Sequence, residues 1–317
     1  MTALRRPTWR QQAWRSVSAV VLWCGATAAQ AETYELRPDS DLIGTVGTHT
    51  IAEDESLPAL AVKYGLGYIE LRAANVAIDP WLPPLGHRVV LPTRYILPDA
   101  PRQGIVMNLA ELRLYYFPPG GKTVETYPIG IGREGWQTPL GRTSVTKKRK
   151  DPVWYVPESV RAEQPELPRA VGPGPFNPLG KHALNLGWPA YLIHGTNKPH
   201  GVGRQVSHGC VRMYPDDIAA LFERVPVGTP VTVVDQPVKV GWHDGALYVE
   251  IHPSRDARDM LEAGEVRPAG VDEIADVLDL LTDRSDELNG RLNLGRAYQA
   301  ARSRHGLPVR VSRHENY

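Results

Sequence analysis

Apolar and polar positions alternate in short runs through the middle of the chain, the period of half-buried strands. Such runs occupy residues 104–109, 113–117, 123–131, 143–146, 190–194, 229–234, 238–241 and 246–251. Pro118-Pro119-Gly120-Gly121 supplies one turn signal, and Asp244-Gly245 between the last two runs is a strong hairpin signal. Residues 151–185 hold seven prolines without periodicity, a length of irregular chain that usually forms a functional wall or lid. One helical pattern, 216–225, follows Pro215. The pattern predicts a mainly β protein with some α, a sandwich of short strands carrying one or two helices.

The flanks read differently. In residues 47–93, Leu57, Leu60, Ala61 and Tyr64 stand at helical offsets before Gly65, a C-cap residue. A second turn at 69–74 ends on Asn75, and the Pro- and Gly-rich stretch 80–86 leads to a β run, 88–91, stopped by Pro92. This is a self-contained strand, helix, helix, strand unit. The catalytic-sized middle is bounded at 101–236, a hairpin at 237–253, and a helical extension at 254–317. In the extension, Ile274, Val277, Leu278 and Leu281 form an apolar stripe opened by Asp272 as N-cap. Leu288, Leu292 and Ala297 continue it past Gly290, and the chain beyond Arg302 reads as polar and mobile.

Composition changes the picture mainly at the amino end. The 317 residues carry 36 Lys+Arg and 35 Asp+Glu, with 42% hydrophobic and 22% charged residues, ordinary globular usage. So even a balance gives no general attraction to nucleic acid. Residues 1–15 hold Arg5, Arg6, Arg10 and Arg15 and no acid, followed by an uncharged run with an apolar centre and the ending Ala29-Gln30-Ala31. That is the layout of a cleaved secretory signal over 1–31, too short and polar for a membrane anchor. Export is the expectation. Cleavage leaves 32 positive against 35 negative charges, a net of −3, and removes Cys24. Cys210 is then the lone thiol and has no internal disulfide to make.

The neighbours of that thiol carry chemistry. An apolar strand ends at His194-Gly195, a Gly-containing loop follows, and the chain returns as Ser207-His208-Gly209-Cys210-Val211-Arg212. Cysteine attacks as thiolate, and a free thiol titrates near 8.5, so an imidazole or cation must help it ionise. His194, His208 and Arg212 can supply that help. Gly209 leaves room for a substrate, and its N–H or that of Cys210 can face a developing oxyanion. Acyl transfer through a thioester fits. Zinc held by His208, Cys210 and His194 or His200 is an alternative, weakened by the single thiolate and the unfamiliar spacing. A buried structural cysteine with satisfied structural histidines is another.

The motif closely resembles that of the L,D-transpeptidases, the YkuD-type catalytic domain of bacterial cell-wall enzymes. Thr138-Pro139-Leu140-Gly141 and Gly174-Pro175-Phe176-Asn177-Pro178-Leu179-Gly180 extend the likeness. Residues 47–93 are similar to a LysM domain through Gly47-Thr48, Asp54-Glu55-Ser56-Leu57, Tyr64-Gly65, Asn75 and Leu91-Pro92, the arrangement of the Gram-negative periplasmic branch. The resemblance implies a β-sandwich of mixed sheets with Cys210 as nucleophile and His194 as base, oriented by the Gly195 carbonyl. It places His208, Gly209 and Cys210 at the oxyanion, Arg212 at the substrate or holding the site, and Ser207 in support of the loop. Trp188 and Tyr191 are wall or core. The implied partners are peptidoglycan stem peptides, with a second stem, an outer-membrane lipoprotein or water as acceptor, and no cofactor or metal. A non-catalytic wall-binding protein is the competing class.

Overall fold

The computed structural model describes residues 33–133, 135–207, 209–283 and 292–313. The proposed signal at 1–31, His208 and Leu288 lie outside the described residues. The fold is mainly β. Its centre is a nine-stranded mixed sheet in the order Thr33–Glu35, Thr123–Pro128, Arg113–Phe117, Gly104–Asn108, Pro230–Val234, Gly141–Lys150, His182–Leu186, Leu192–His194 and Val211–Arg212.

The ten-residue strand Gly141–Lys150 turns this sheet upon itself. Its first half pairs with Pro230–Val234, its second half with His182–Leu186, and the register shifts between Val145 and Lys147. Such an irregularity bends a strand and lets it pass from one layer to another. Ile105, Met107, Leu114 and Tyr127 thereby share one core with Val145, Leu184, Ile193 and Val211. The helix Pro215–Arg224 adds Ile218 and Leu221 to that core, with Pro215 in its first turn where no N–H is needed.

The unit ahead of the sheet pairs Gly47–Thr50 with Arg88–Leu91 around the helices Leu57–Lys63 and Tyr68–Ala74. Ser56 Oγ caps the first helix by accepting from Ala59 N, and buried Asn75 bonds Leu71 O and both backbone groups of Val90. The unit is docked firmly on the sheet. Arg113 donates twice to Glu70, both nearly sealed from solvent, and Tyr214 Oη donates to Leu66 O at 2.9 Å. Gly203 lies so close that an added Cβ would sit 2.2 Å from Gly67 Cα, and its φ is +73°.

The strands Val238–His243 and Ala246–Ile251 form a hairpin through Asp244-Gly245, both at positive φ. Lys239 on this hairpin is buried and donates to Ile96 O and Glu111, beside Glu250, which also meets His252. The helix Val271–Asp283 packs Ile274, Val277 and Leu281 against Leu247 and Val249. Ala297 lies on the helix Leu294–Ser303. From 303 to 313 the described chain is not the polar mobile end its composition implied. Val309–Arg310 pairs with Ala246–Ile251, and Val311 is fully buried, because one apolar residue fills the gap between hairpin and helices.

Removing one partner of a buried ion pair strands the other charge, at a cost of about 3–5 kcal/mol. Glu70→Ala is therefore expected to lower unfolding free energy by that amount in a urea titration. A loss below about 1 kcal/mol would show that Arg113 finds another partner.

Candidate active site

Parallel pairing assembles the site. Ile193 stands opposite Val211, and His194 opposite Arg212. Side chains alternate along a strand, so Ile193 and Val211 point into the core while His194 and Arg212 share the other face. Cys210, two residues before Arg212, lies beside Leu192, whose backbone N–H faces the sulfur and favours its charged form. The structure thus brings His194, Cys210 and Arg212 to one face.

His194 is buried, and its Nδ1 lies 2.5 Å from the carbonyl oxygen of Gly195. A carbonyl only accepts, so Nδ1 carries the proton and Nε2 keeps its lone pair. The 177–180 turn holds that carbonyl in place from behind. Its Gly180 would meet Gly195 and Thr196 backbone if it carried a Cβ. Asn177, fully buried, anchors the turn by donating to Pro152 O and Gly172 O. The Pro-rich segment is ordered, and its Gly180 backs the site at Gly195 and Thr196. Its last residues form the interior strand His182–Leu186.

The cysteine loop is fixed by its carbonyls. Ser207 Oγ donates to Cys210 O at 2.6 Å, and Thr138 Oγ1 donates to Gly209 O at 3.0 Å. Gly209 adopts φ +99°, open to glycine and rarely to other residues, and a Cβ there would press on the Tyr191 ring. With those two carbonyls held, the Cys210 N–H makes no hydrogen bond among the described residues. The Cys210 thiol faces the carbonyl of Ala190 at 3.5 Å. Ala190 follows Pro189 in the turn Trp188–Tyr191 and takes φ +67°, where glycine is usual. That strained residue next to the sulfur was not legible in the sequence. Trp188 and Tyr191 are half-buried, edge to face at 6.3 Å, and pack against the main core, with the Tyr191 ring beside Gly209.

Electrostatics correct one expectation. Burial raises the Cys210 thiol above its ordinary value, against the opposing pull of the Leu192 N–H and the Arg212 charge. Burial, with the Arg212 charge adding to it, lowers His194 to about 4. The resting pair is a neutral thiol and a neutral imidazole, not a thiolate and an imidazolium. Burial disfavours the charged form of each group. Arg212 itself is half-buried, and its Nε has no partner among the described residues. The described residues do not join His194 and Cys210 in a metal-ligand grouping. Glu111, Glu250 and His252 do lie at ligand spacing, with the Lys239 ammonium in their midst.

Fold and site together define the class. Residues 102–233 match the YkuD family, the L,D-transpeptidase catalytic domain. "Probable L,D-transpeptidase YcfS" of Escherichia coli (strain K12) is 44% identical over 72% of this chain and 74% of its own length. "Probable L,D-transpeptidase YbiS" of the same organism is 39% identical over 93% of this chain and 96% of its own, and "Probable L,D-transpeptidase ErfK/SrfK" is 39% identical over 89% and 91%. The chain belongs to the L,D-transpeptidase family and is an enzyme of that class.

The depressed His194 has a signature in stability. An unfolded imidazole titrates near 6.5, so between about pH 6.5 and pH 4 the unfolded state binds a proton that the folded state refuses. This contribution to stability is complete above pH 6.5 and is lost as pH falls toward 4, by about 3 kcal/mol at most. Urea midpoints of wild type and His194→Gln should diverge across that window. Parallel curves would mean that His194 titrates normally in the folded protein.

Proposed function

We propose that the enzyme transfers the acyl group of a peptidoglycan tetrapeptide stem through a thioester on Cys210, with His194 as the base. The observation that carries this reading is the pinned imidazole. With Nδ1 committed to Gly195 O, Nε2 is free to accept a proton on the face that Cys210 shares. The sulfur attacks the carbonyl of the third stem residue as its proton passes to His194. The C–N bond to the terminal D-Ala then breaks, and the departing amine takes that proton. An acceptor amine attacks the thioester, gives its own proton to His194, and regenerates the thiol. Deprotonation matters because an amine with pKa near 10 is almost wholly unreactive at neutral pH.

The N–H groups of Gly209 and Cys210 are the oxyanion donors in this scheme, with His208 beside them in the motif. Losing one such donor costs roughly 3–4 kcal/mol of transition-state stabilisation. Arg212, half-buried and free of any acid among the described residues, is suited to a substrate carboxylate. The acceptor is a second stem, giving a 3–3 crosslink, or the terminal lysine of an outer-membrane lipoprotein. Water in that place would make the same site a hydrolase. The reaction belongs to the periplasm, where bond energy stored in a thioester serves in place of ATP.

In the same reading, residues 47–93 act as a LysM-like module that holds the enzyme on glycan. Ala52–Ser56 and 81–85 line an open groove whose rim exposes Trp81, Leu82 and Leu85. Apolar groups left exposed together around a polar groove are suited to a sugar face.

Three outcomes are expected. Wild type treated with a carbapenem gains one covalent adduct on Cys210 by intact-mass spectrometry, and Cys210→Ala gains none; an adduct elsewhere contradicts the scheme. With a soluble stem donor, the acidic limb of kcat/KM lies near pH 4, where His194 protonates, and a limb near 6.5 would place the base elsewhere. Trp81→Ala should pellet less with isolated sacculi while turning over soluble donor normally, and unchanged pelleting would remove the module from the account.

A further inference from the structure

The strands beside His194 carry a second cation that the scheme leaves idle. Arg149 on the long strand stands opposite Ala183, Ala183 opposite His194, and His194 opposite Arg212. Directly opposed residues share a face of a sheet, so these four form one row across four strands. One step along, Lys147 stands opposite Asn185, and Asn185 opposite Leu192, the neighbour of Cys210. Lys148 and Lys150 fall on the other face, with Lys148 over the Phe222 ring and Lys150 near Glu223.

The side chain of Arg149 leans across to the neighbouring strand, diagonally from its own row toward Asn185. Its Nε donates to Asn185 Oδ1 at 3.0 Å, which draws the guanidinium over the strand next to that of His194. Its positive charge is felt at the His194 ring. Among the described residues, Arg149 meets no carboxylate, and its outer nitrogens are not buried. Other buried or half-buried arginines of the protein have their outer nitrogens taken up, Arg113 by Glu70, Arg204 by Glu262 and Arg304 by Glu273, and Arg72 and Arg258 by backbone carbonyls, whereas the outer nitrogens of Arg149 meet neither among the described residues. A half-buried cation kept without an acid in a row with the base is built for an anion that arrives.

The direction of the row says which anion. Across the sheet the order is the strand after Cys210, then His194, then Ala183, then Arg149. In the proposed reaction the acyl carbon lies at Cys210 and the departing amine lies over His194, because that amine takes its proton there. The rest of the leaving residue continues the same way across the sheet, past Ala183, which its neighbours cover completely, and its carboxylate ends toward Arg149. We propose that Arg149 is a specificity-determining residue that binds the free C-terminal carboxylate of the leaving amino acid. This rests on the acyl-transfer reading and assigns the part of the donor on the far side of the base from the sulfur. Such a contact selects stems that end in a free carboxylate one residue beyond the attacked carbonyl, and it disfavours stems in which that position is amidated or extended.

The test compares two synthetic tetrapeptide donors that differ only in ending as D-Ala carboxylate or D-Ala carboxamide. Release of the leaving residue gives kcat/KM for each. Wild type should prefer the carboxylate by roughly 10- to 100-fold, the scale of a lost partly desolvated charge pair. Arg149→Gln should collapse the preference to within about threefold, and Arg149→Lys should restore part of it. Lys150→Gln, the adjacent cation on the opposite face, should keep the wild-type ratio. The inference is overturned if Arg149→Gln retains the preference or if Lys150→Gln erases it equally, since a general field would then suffice. Wild type that releases the leaving residue from neither donor, while Cys210 still reacts with iodoacetamide, would instead overturn the acyl-transfer reading, and this inference with it.

Discussion

Two rungs of a parallel ladder decide what this protein can do. Opposing Ile193 to Val211 and His194 to Arg212 buries one pair in the sandwich core and turns the other outward with Cys210. A slip of one residue would reverse both faces at once, placing an imidazole and a guanidinium in the core. The apolar residues therefore enforce the chemistry. Ile193 and Val211, both sealed from solvent, fix the register that sets His194 and Arg212 together on the other face.

The surroundings hold that register from several sides. Gly130 exchanges both backbone hydrogen bonds with Arg212, the 177–180 turn backs the Gly195 carbonyl, and Thr138 and Ser207 hold the carbonyls of Gly209 and Cys210. The unit at 47–93 takes part as well. Ile69 N donates to Gly203 O, and Tyr68 stacks under Arg204, which in turn reaches Glu262 of the helix Arg255–Glu262. The loop between His194 and Cys210 is thus clamped between the amino-terminal unit and a helix of the carboxy-terminal extension. The flanking regions are part of the frame of the site, beyond any binding role of their own.

Much of this was legible in the residues. The motif from His194 to Arg212 carried the resemblance to the L,D-transpeptidase family, and the apolar runs placed most strands of the central sheet. What escaped has physical reasons. The strand His182–Leu186 has its two polar residues, His182 and Asn185, at half-buried positions three apart, since one face meets the helix Pro215–Arg224 and the other the site, so it lacks the alternation of a strand and reads as the end of a Pro-rich loop. The closing strand Val309–Arg310 is only two residues long, too short for any periodicity. Arg149 hides in the charge run Lys147-Lys148-Arg149-Lys150, where only the register separates the cations facing the site from those facing the helix. The neutral state of the Cys210 and His194 pair depends on burial, which a motif does not record.

The account stands on an imidazole that is neutral at rest and bare at Nε2. Nitrogen-15 NMR of the His194 ring in the full-length resting enzyme reads both properties at once. At pH 7 a single proton on Nδ1, with Nε2 unprotonated, is the predicted state. A doubly protonated ring at that pH, or a proton resting on Nε2, would contradict it.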